Sequence, residues 1–237
     1  MVKITKENIM KHINLLLTIS LLTSYGSICP SASASAGSGS GISESASRSH
    51  ALTAEAERAM HQQLLAAART GNLDVVQQYI AAGTNLDAAD QYGNTALILA
   101  TENNNPEIVR LLIAAGADVD PVDHNGSTTL MRAAINNRTE MARLLIDAGA
   151  DVDLVDQDRW TALIYSARYN SPEIARLLIA AGADPTIPTN PTTTDPDGRL
   201  AHELVPAGNT PEQRVQNNAF RTELENWYEQ YINSSLK

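Results

Sequence analysis

The sequence predicts an all-α solenoid of stacked helix-turn-helix units separated by hairpin-like finger loops, and three observations carry that prediction. The first is an internal repeat: Asp90-Gln91-Tyr92-Gly93-Asn94-Thr95-Ala96-Leu97 returns in recognisable form from Asp123 and again from Asp156, a period of 33 residues. The second is a helical block in the same register, Glu107-Ile108-Val109-Arg110-Leu111-Leu112-Ile113, which recurs from Glu140 and Glu173 and is followed each time by Ala or Asp and then Ala-Gly-Ala-Asp. The third is composition. Hydrophobic residues make up 43% of the 237, yet aromatics only 4%, so the core must be built from Ala, Leu, Ile and Val, whose small side chains suit closely packed helices. A helix pair this short cannot bury both apolar faces alone, so units must stack and the ends of the stack need polar caps.

The chain opens on a different kind of segment. Lys3, Lys6 and Lys11 precede an apolar stretch from Ile13 to Leu22, and Ala32-Ser33-Ala34 and Ala34-Ser35-Ala36 offer small-x-small cleavage sites, so residues 1–34 read as a signal peptide. The apolar stretch is too short to span a bilayer, and Ile28 ahead of Cys29 is a poor lipoprotein signal, so no membrane association is expected of the mature form. Removing residues 1–34 leaves a net charge of -12 and no cysteine, hence no disulfide and no thiol nucleophile. Residues 35–52 read as a flexible Ser/Ala/Gly linker. The repeat domain occupies 53–237: an N-cap repeat 53–89, repeats 90–122, 123–155 and 156–188, and a degenerate last repeat with a C-terminal cap helix over 189–237.

Within a unit, Thr95, Thr128 and Thr161 are placed to cap a first helix of about three turns through their hydroxyls. Asn104, Asn137 and Asn170, with Gly71 at the equivalent upstream position, are the residue types that end a helix in the left-handed conformation. Asn105-Pro106-Glu107 and Ser171-Pro172-Glu173 then supply an N-cap, a proline at the first helical position and an acid suited to the helix dipole. Gly116, Gly149 and Gly182 stop the second helix. In the N-cap repeat, Met60, Leu64, Ala67, Val75, Val76 and Ile80 keep the register. Beyond the third full repeat, Pro185 to Asp197 makes an unusually long Pro/Thr loop, and Gly198 to Leu204 is a decayed helix opening displaced by six residues. Pro211 to Ile232 reads as a closing helix with Val215, Ala219, Leu224, Trp227, Tyr228 and Tyr231 on or near its apolar face, the aromatics serving as cover for the open end.

These openings, Leu-Leu-Ile helices and Gly-Ala-Asp endings closely resemble the ankyrin-repeat family over roughly Ala59 to Pro188, and the N-terminal segment makes the chain similar to bacterial periplasmic ankyrin-repeat proteins. The resemblance implies a protein-binding module whose finger tips and exposed first-helix sides form a concave surface. Carried over position by position, that surface holds Tyr92, Asn94, His124, Asn125, Asp158, Trp160, Arg168 and Tyr169. Trp160 is expected as an exposed anchor with Arg168 beside it, the competing reading being that its ring folds back onto the next repeat beneath the Pro/Thr loop. The chain departs from the family pattern in three ways, the first being that Ala96, Thr129 and Ala162 follow the threonine where a proline is usual. Ile98, Met131 and Ile164 stand where a histidine is usual, removing hydrogen bonds between repeats, and Arg159 replaces the finger glycine, which puts the shape of that finger in question.

Charge and motif content exclude other classes. Lys+Arg 17 against Asp+Glu 27 gives a net charge of -10 with no basic cluster, which disfavours nucleic acid. Asp118, Asp120, Asp123, Asp151, Asp153, Asp156 and Asp158 recur with the repeat and are expected to bond finger backbone rather than calcium. His50, His61, His124 and His202 are scattered, and no Gly-x-Ser-x-Gly, His-x-x-x-His or phosphate loop is present, so neither catalysis, metal nor cofactor is expected. Glycosylation sequons at Asn125, Asn137 and Asn233 fall at a binding surface and a tight helix end, which favours bacterial export to the periplasm, with secretion as the alternative. The expected function is therefore an exported, monomeric protein-protein interaction module. The alternatives are an inhibitor or immunity-type protein that neutralises a basic toxin or enzyme, and an accessory factor in periplasmic stress defence.

Overall fold

A computed structural model describes residues 42–190 and 199–235, with side chains described from Glu55 onward; the signal peptide expected over 1–34 and the first part of the linker lie outside the described residues. Four helix pairs follow one another: α1 (Ile42–Thr70) with α2 (Leu73–Ala81), α3 (Ala96–Glu102) with α4 (Pro106–Ala114), α5 (Thr129–Ile135) with α6 (Thr139–Asp147), and α7 (Ala162–Arg168) with α8 (Pro172–Ala180). A short 3-10 helix (Ala201–Leu204) and a long closing helix α9 (Pro211–Ser235) complete the chain. First helices pack on first helices and second helices on second helices, giving two layers. Among the described residues the only extended pairing is an isolated antiparallel bridge between Val122 and Thr128 at the base of a finger.

The layers share one continuous core. Leu97, Leu130 and Leu163 from the first helices are each 1% exposed, and Leu112, Leu145 and Leu178 from the second helices are fully buried. Burying a leucine is worth about 1.5–3 kcal/mol, and here each unit contributes the same small set, so stability accrues repeat by repeat. Ile98, Met131 and Ile164, at the positions where the family usually has histidine, are buried in this core.

Local capping follows the sequence closely. The hydroxyls of Thr95, Thr128 and Thr161 accept the amides of Ile98, Met131 and Ile164 at 3.4, 3.2 and 3.2 Å. Asn104, Asn137 and Asn170 adopt φ of 58°, 51° and 54°, and they end first helices of seven residues each, about two turns rather than three. Asn105 and Ser171 sit at second-helix N-caps but make no capping bond there. Their side chains reach back instead to the preceding unit: Asn105 Nδ2 donates to the Ala68 carbonyl at 3.1 Å and Ser171 Oγ to the Ala134 carbonyl at 3.3 Å. This also explains Gly71, where a Cβ would meet Asn105 Oδ1 at 2.7 Å.

The N-terminal end differs from the sequence-based expectation. Helix α1 starts at Ile42, so residues 42–52 are helical rather than linker; no glycine or proline interrupts the chain between Gly41 and Gly71. At the other end, the Thr189 amide donates to the Arg199 carbonyl and the Thr189 hydroxyl accepts the Arg199 amide, both at 3.0 Å. The Asp156 amide pairs with the Trp160 carbonyl in the same way, so the ends of the long loop are closed like an ordinary finger. The 3-10 helix then packs on α7, where the next first helix would stand.

Helix α9 buries Asn217, Phe220 and Leu224, whereas Val215 is 70% exposed and Ala219 is also exposed, which corrects the predicted face. Trp227 is half-buried against the core with the Tyr231 ring 6.1 Å away, and Tyr228 lies 5.5 Å from His202. A two-point ion pair, Arg176 to Glu223 at 2.8 Å through both contacts, ties α9 to α8.

Candidate functional site

Each finger is built on one aspartate. Asp90 Oδ1 accepts the amides of Tyr92 and Asn94 at 2.8 and 2.9 Å, Asp123 Oδ1 those of Asn125 and Ser127 at 2.8 and 3.0 Å, and Asp156 Oδ1 those of Asp158 and Trp160 at 2.9 Å each. A carboxylate that holds two turn amides folds the tip back on itself. The tip needs a left-handed residue, and Arg159 takes that conformation at φ 60° just as Gly93 and Gly126 do at 85° and 78°, so the third finger keeps its shape.

Successive fingers are stitched edge to edge. The amides of His124, Gln157 and Asn190 donate to the carbonyls of Tyr92, Asn125 and Asp158 at 2.9, 3.2 and 3.0 Å. The side chains of Gln157 and Asn190 add bonds to the carbonyls of His124 and Gln157 at 2.8 and 3.0 Å. Lower down, Asp87, Asp120 and Asp153 accept the amides of Asp118, Asp151 and Asp184 in the next unit at 2.9, 3.0 and 2.7 Å. Six members of the repeated acid row, Asp118, Asp120, Asp123, Asp151, Asp153 and Asp156, thus bond backbone as its periodicity predicted, whereas among the described residues the Asp158 carboxylate does not. Burial, and then neighbouring acids, push the Asp120 and Asp153 carboxyls above the ordinary range.

On this stitched face, Tyr92 and Tyr169 are 60% and 53% exposed, and His124, Asn125, Asp158 and Arg168 are exposed as well. Asn94 is half-buried, its amide donating to Asp90 Oδ2 at 3.2 Å. Trp160 is not the open anchor the sequence suggested. It is half-buried against the core, and its ring lies 5.0 Å from Tyr165 at 50°, because the ring buries more apolar area there than at the tip.

The residue nine positions after each finger aspartate decides how that aspartate is met. Asp123 is paired with Arg132, which also reaches Glu102 at 3.4 Å. Asp156 accepts the Tyr165 hydroxyl at 2.6 Å. Leu99 occupies this place in the first full repeat, and Asp90 finds Arg69 of the preceding helix at 3.7 Å instead. Burial, then the bond to Asp156 and its charge, hold the Tyr165 hydroxyl far above the ordinary tyrosine range.

Between repeats 123–155 and 156–188 these side chains enclose a cleft of about 350 Å³, walled by Asn125, Ser127, Arg132, Ile135, Asp156, Gln157, Asp158, Tyr165 and Tyr169. The cleft gathers three predicted residues, Asn125, Asp158 and Tyr169; Tyr92, Asn94, His124, Trp160 and Arg168 lie outside its walls. Arg132 and Tyr165 were missing from the predicted set. Their signal was present in the spacing, a hydrogen-bonding side chain nine residues after a finger aspartate. A second cleft, about 750 Å³, lies on the other layer between α8 and α9, with Ile179, Ala180, Ala219 and Trp227 among its walls. Among the described residues no group of three His, Cys, Asp or Glu is placed to hold a metal ion, and no helix is long and apolar enough to cross a membrane.

A family model for ankyrin repeats matches residues 64–156 and 115–189, together more than half of the chain. The chain belongs to the ankyrin-repeat family. A search of curated proteins finds no match. Ankyrin repeats generally mediate protein-protein interaction and are typically non-catalytic modules.

Proposed function

We propose that this ankyrin-repeat protein is an exported module that binds a protein partner across its fingers and first helices. The observation that carries the reading is where the exposed apolar side chains lie. Of the five exposed large apolar side chains among the described residues, Tyr92, Val122, Val155 and Tyr169 belong to fingers or the end of a first helix and Val215 alone lies elsewhere, on α9; Tyr92 and Tyr169 are the exposed aromatics. Rigid aromatics presented on a hydrogen-bonded scaffold lose little freedom on binding, which favours affinity. The inter-finger bonds supply that scaffold before any partner arrives.

Cross-linked capture with the full chain, run beside Tyr92→Ala and Tyr169→Ala, tests this reading. Both side chains are exposed, so the variants should fold. Loss of the same captured protein in both supports the reading, and equal recovery by all three chains overturns it. Export is supported by the basic, apolar and small-residue order of the first 36 residues. N-terminal sequencing of chain recovered from the periplasm should find cleavage after Ala34 or Ala36; an uncleaved cytoplasmic chain would remove this part. The narrower reading, an inhibitor of a basic toxin or enzyme, draws on the net charge of -12 left once residues 1–34 are removed and requires an association rate that falls steeply with salt.

A further inference from the structure

The three finger aspartates are equivalent in the repeat but not in their surroundings. Asp90 has the Arg69 guanidinium at 3.7 Å, and Asp123 is paired with Arg132. Asp156 is met only by neutral donors, the Tyr165 hydroxyl at 2.6 Å and the amides of Asp158 and Trp160. Among the described residues no ion pair reaches Asp156, although it is only 8% exposed. A carboxylate withdrawn from water without a cation leaves a negative potential in whatever opening it borders, and Asp156 borders the 350 Å³ cleft.

The rest of the cleft reinforces that sign. Its one lining cation, Arg132, is already engaged by Glu102 and Asp123, which leaves the two lining carboxylates, Asp156 and Asp158, without an ion pair among the described residues. Asp158 is exposed at the rim. Over the same opening Tyr169 stacks on Tyr165, with ring centres 6.3 Å apart and planes at 26°. The faces of tyrosine rings attract cations, and a second ring behind the first holds it in place.

We propose that this cleft is a subsite for an arginine side chain of the protein partner, the guanidinium lying against Tyr169 and bonding the Asp158 carboxylate, with the Asp156 charge behind it. Arginine fits better than lysine, because its planar, weakly hydrated group stacks on an aromatic face and offers paired donors to a carboxylate at once. An anionic guest is disfavoured by the surplus of carboxylates. The proposal rests on the finger face being the binding face and names one side chain that it reads.

The test titrates the full chain with Nα-acetyl-arginine methylamide, its lysine counterpart and its citrulline counterpart, which keeps the shape of arginine without the charge, following the tyrosine ring signals by NMR. The arginine probe should shift Tyr165 and Tyr169 saturably, and citrulline should bind about tenfold more weakly for want of the charge-assisted bonds. Asp158→Asn and Tyr169→Ala should each weaken the arginine probe roughly two- to fivefold, while Val215→Ala, exposed on α9 and outside both the cleft and the finger face, leaves it unchanged. Equal binding of arginine and citrulline, or shifts that persist in both cleft variants, overturns the subsite. Its failure is separable from failure of the binding face. If Tyr92→Ala abolishes capture of the partner while arginine and citrulline bind alike, the face stands and the subsite falls. If arginine binds selectively while capture survives both Tyr92→Ala and Tyr169→Ala, the subsite stands and the face falls.

Discussion

Arg159 shows what one backbone angle demands of a residue. At φ 60° it adopts the left-handed conformation that glycine takes at no cost, and the third finger closes nonetheless because the Asp156 carboxylate and the Asp156 to Trp160 pairing hold it. Arg159→Gly should therefore stabilise the protein by about 0.5–1 kcal/mol in urea titration, relief of the strained angle exceeding glycine's greater freedom in the unfolded chain. The first finger allows no such exchange in reverse. A Cβ at Gly93 would lie 2.7 Å from the His124 amide nitrogen, so Gly93→Ala should cost roughly 2 kcal/mol or more and loosen the stitching of the first two fingers. The sequence marked Arg159 as a departure; only the geometry shows that the finger absorbed it. Asn104, Asn137 and Asn170 are the opposite case, since a left-handed helix end depends on the residue's own backbone and was legible directly.

At the scale of an element, helix α9 separates pattern from packing. Its apolar residues are sparse, and the predicted face holds Leu224, which is buried, but places Val215 and Ala219 where Asn217 and Phe220 are the buried residues. A helix face is fixed by what it lies against, here the 3-10 helix and the preceding loop, where Asn217 Nδ2 and Arg221 donate to the Pro206 and Val205 carbonyls at 2.9 and 2.7 Å. Phe220→Ala should cost about 3 kcal/mol and open α9 to limited proteolysis, whereas Val215→Ala should leave the cleavage pattern unchanged. Equal sensitivity of the two variants would mean that α9 is seated on a different face. The Arg176 to Glu223 pair adds little to this, because both groups are largely exposed; it keeps the Glu223 carboxyl ionised to lower pH than usual through the Arg176 hydrogen bond. That contribution is present above the ordinary glutamate value and is lost as pH falls through the lowered one.

Across the whole molecule the units are joined by two ladders, the finger amides and the aspartate row from Asp87 to Asp184. The second places like charges next to one another. Burial, followed by the charges of Asp184 and Asp151, raises the Asp153 carboxyl, with the bond from the Asp184 amide pulling it down. A carboxyl held above its unfolded value of 3.8 contributes stability below that value and loses it as pH rises through the folded one. Asp153→Asn keeps an oxygen for the Asp184 amide and removes the charge, so it should raise the melting temperature by roughly 1–3 °C at pH 7, with the advantage vanishing below about pH 4. An advantage that persists in acid would place its origin elsewhere than in charge.

The sequence by itself determined much that depends on neighbours along the chain: the 33-residue period, the threonine caps, the asparagine and glycine helix ends and the aspartate turns. These are backbone requirements met within a few residues, so a residue type reports them. Tertiary structure decided what depends on neighbours in space. It turned Trp160 inward onto Tyr165, sent Asn105 and Ser171 back to the previous unit, and gave Arg69 to Asp90 and Arg132 to Asp123. It left Asp156 with a tyrosine hydroxyl as its side-chain partner. Contacts between repeats join residues about 30 to 40 positions apart, and which side chain meets which follows from the stacking distance and the free volume between units, quantities that no single repeat contains.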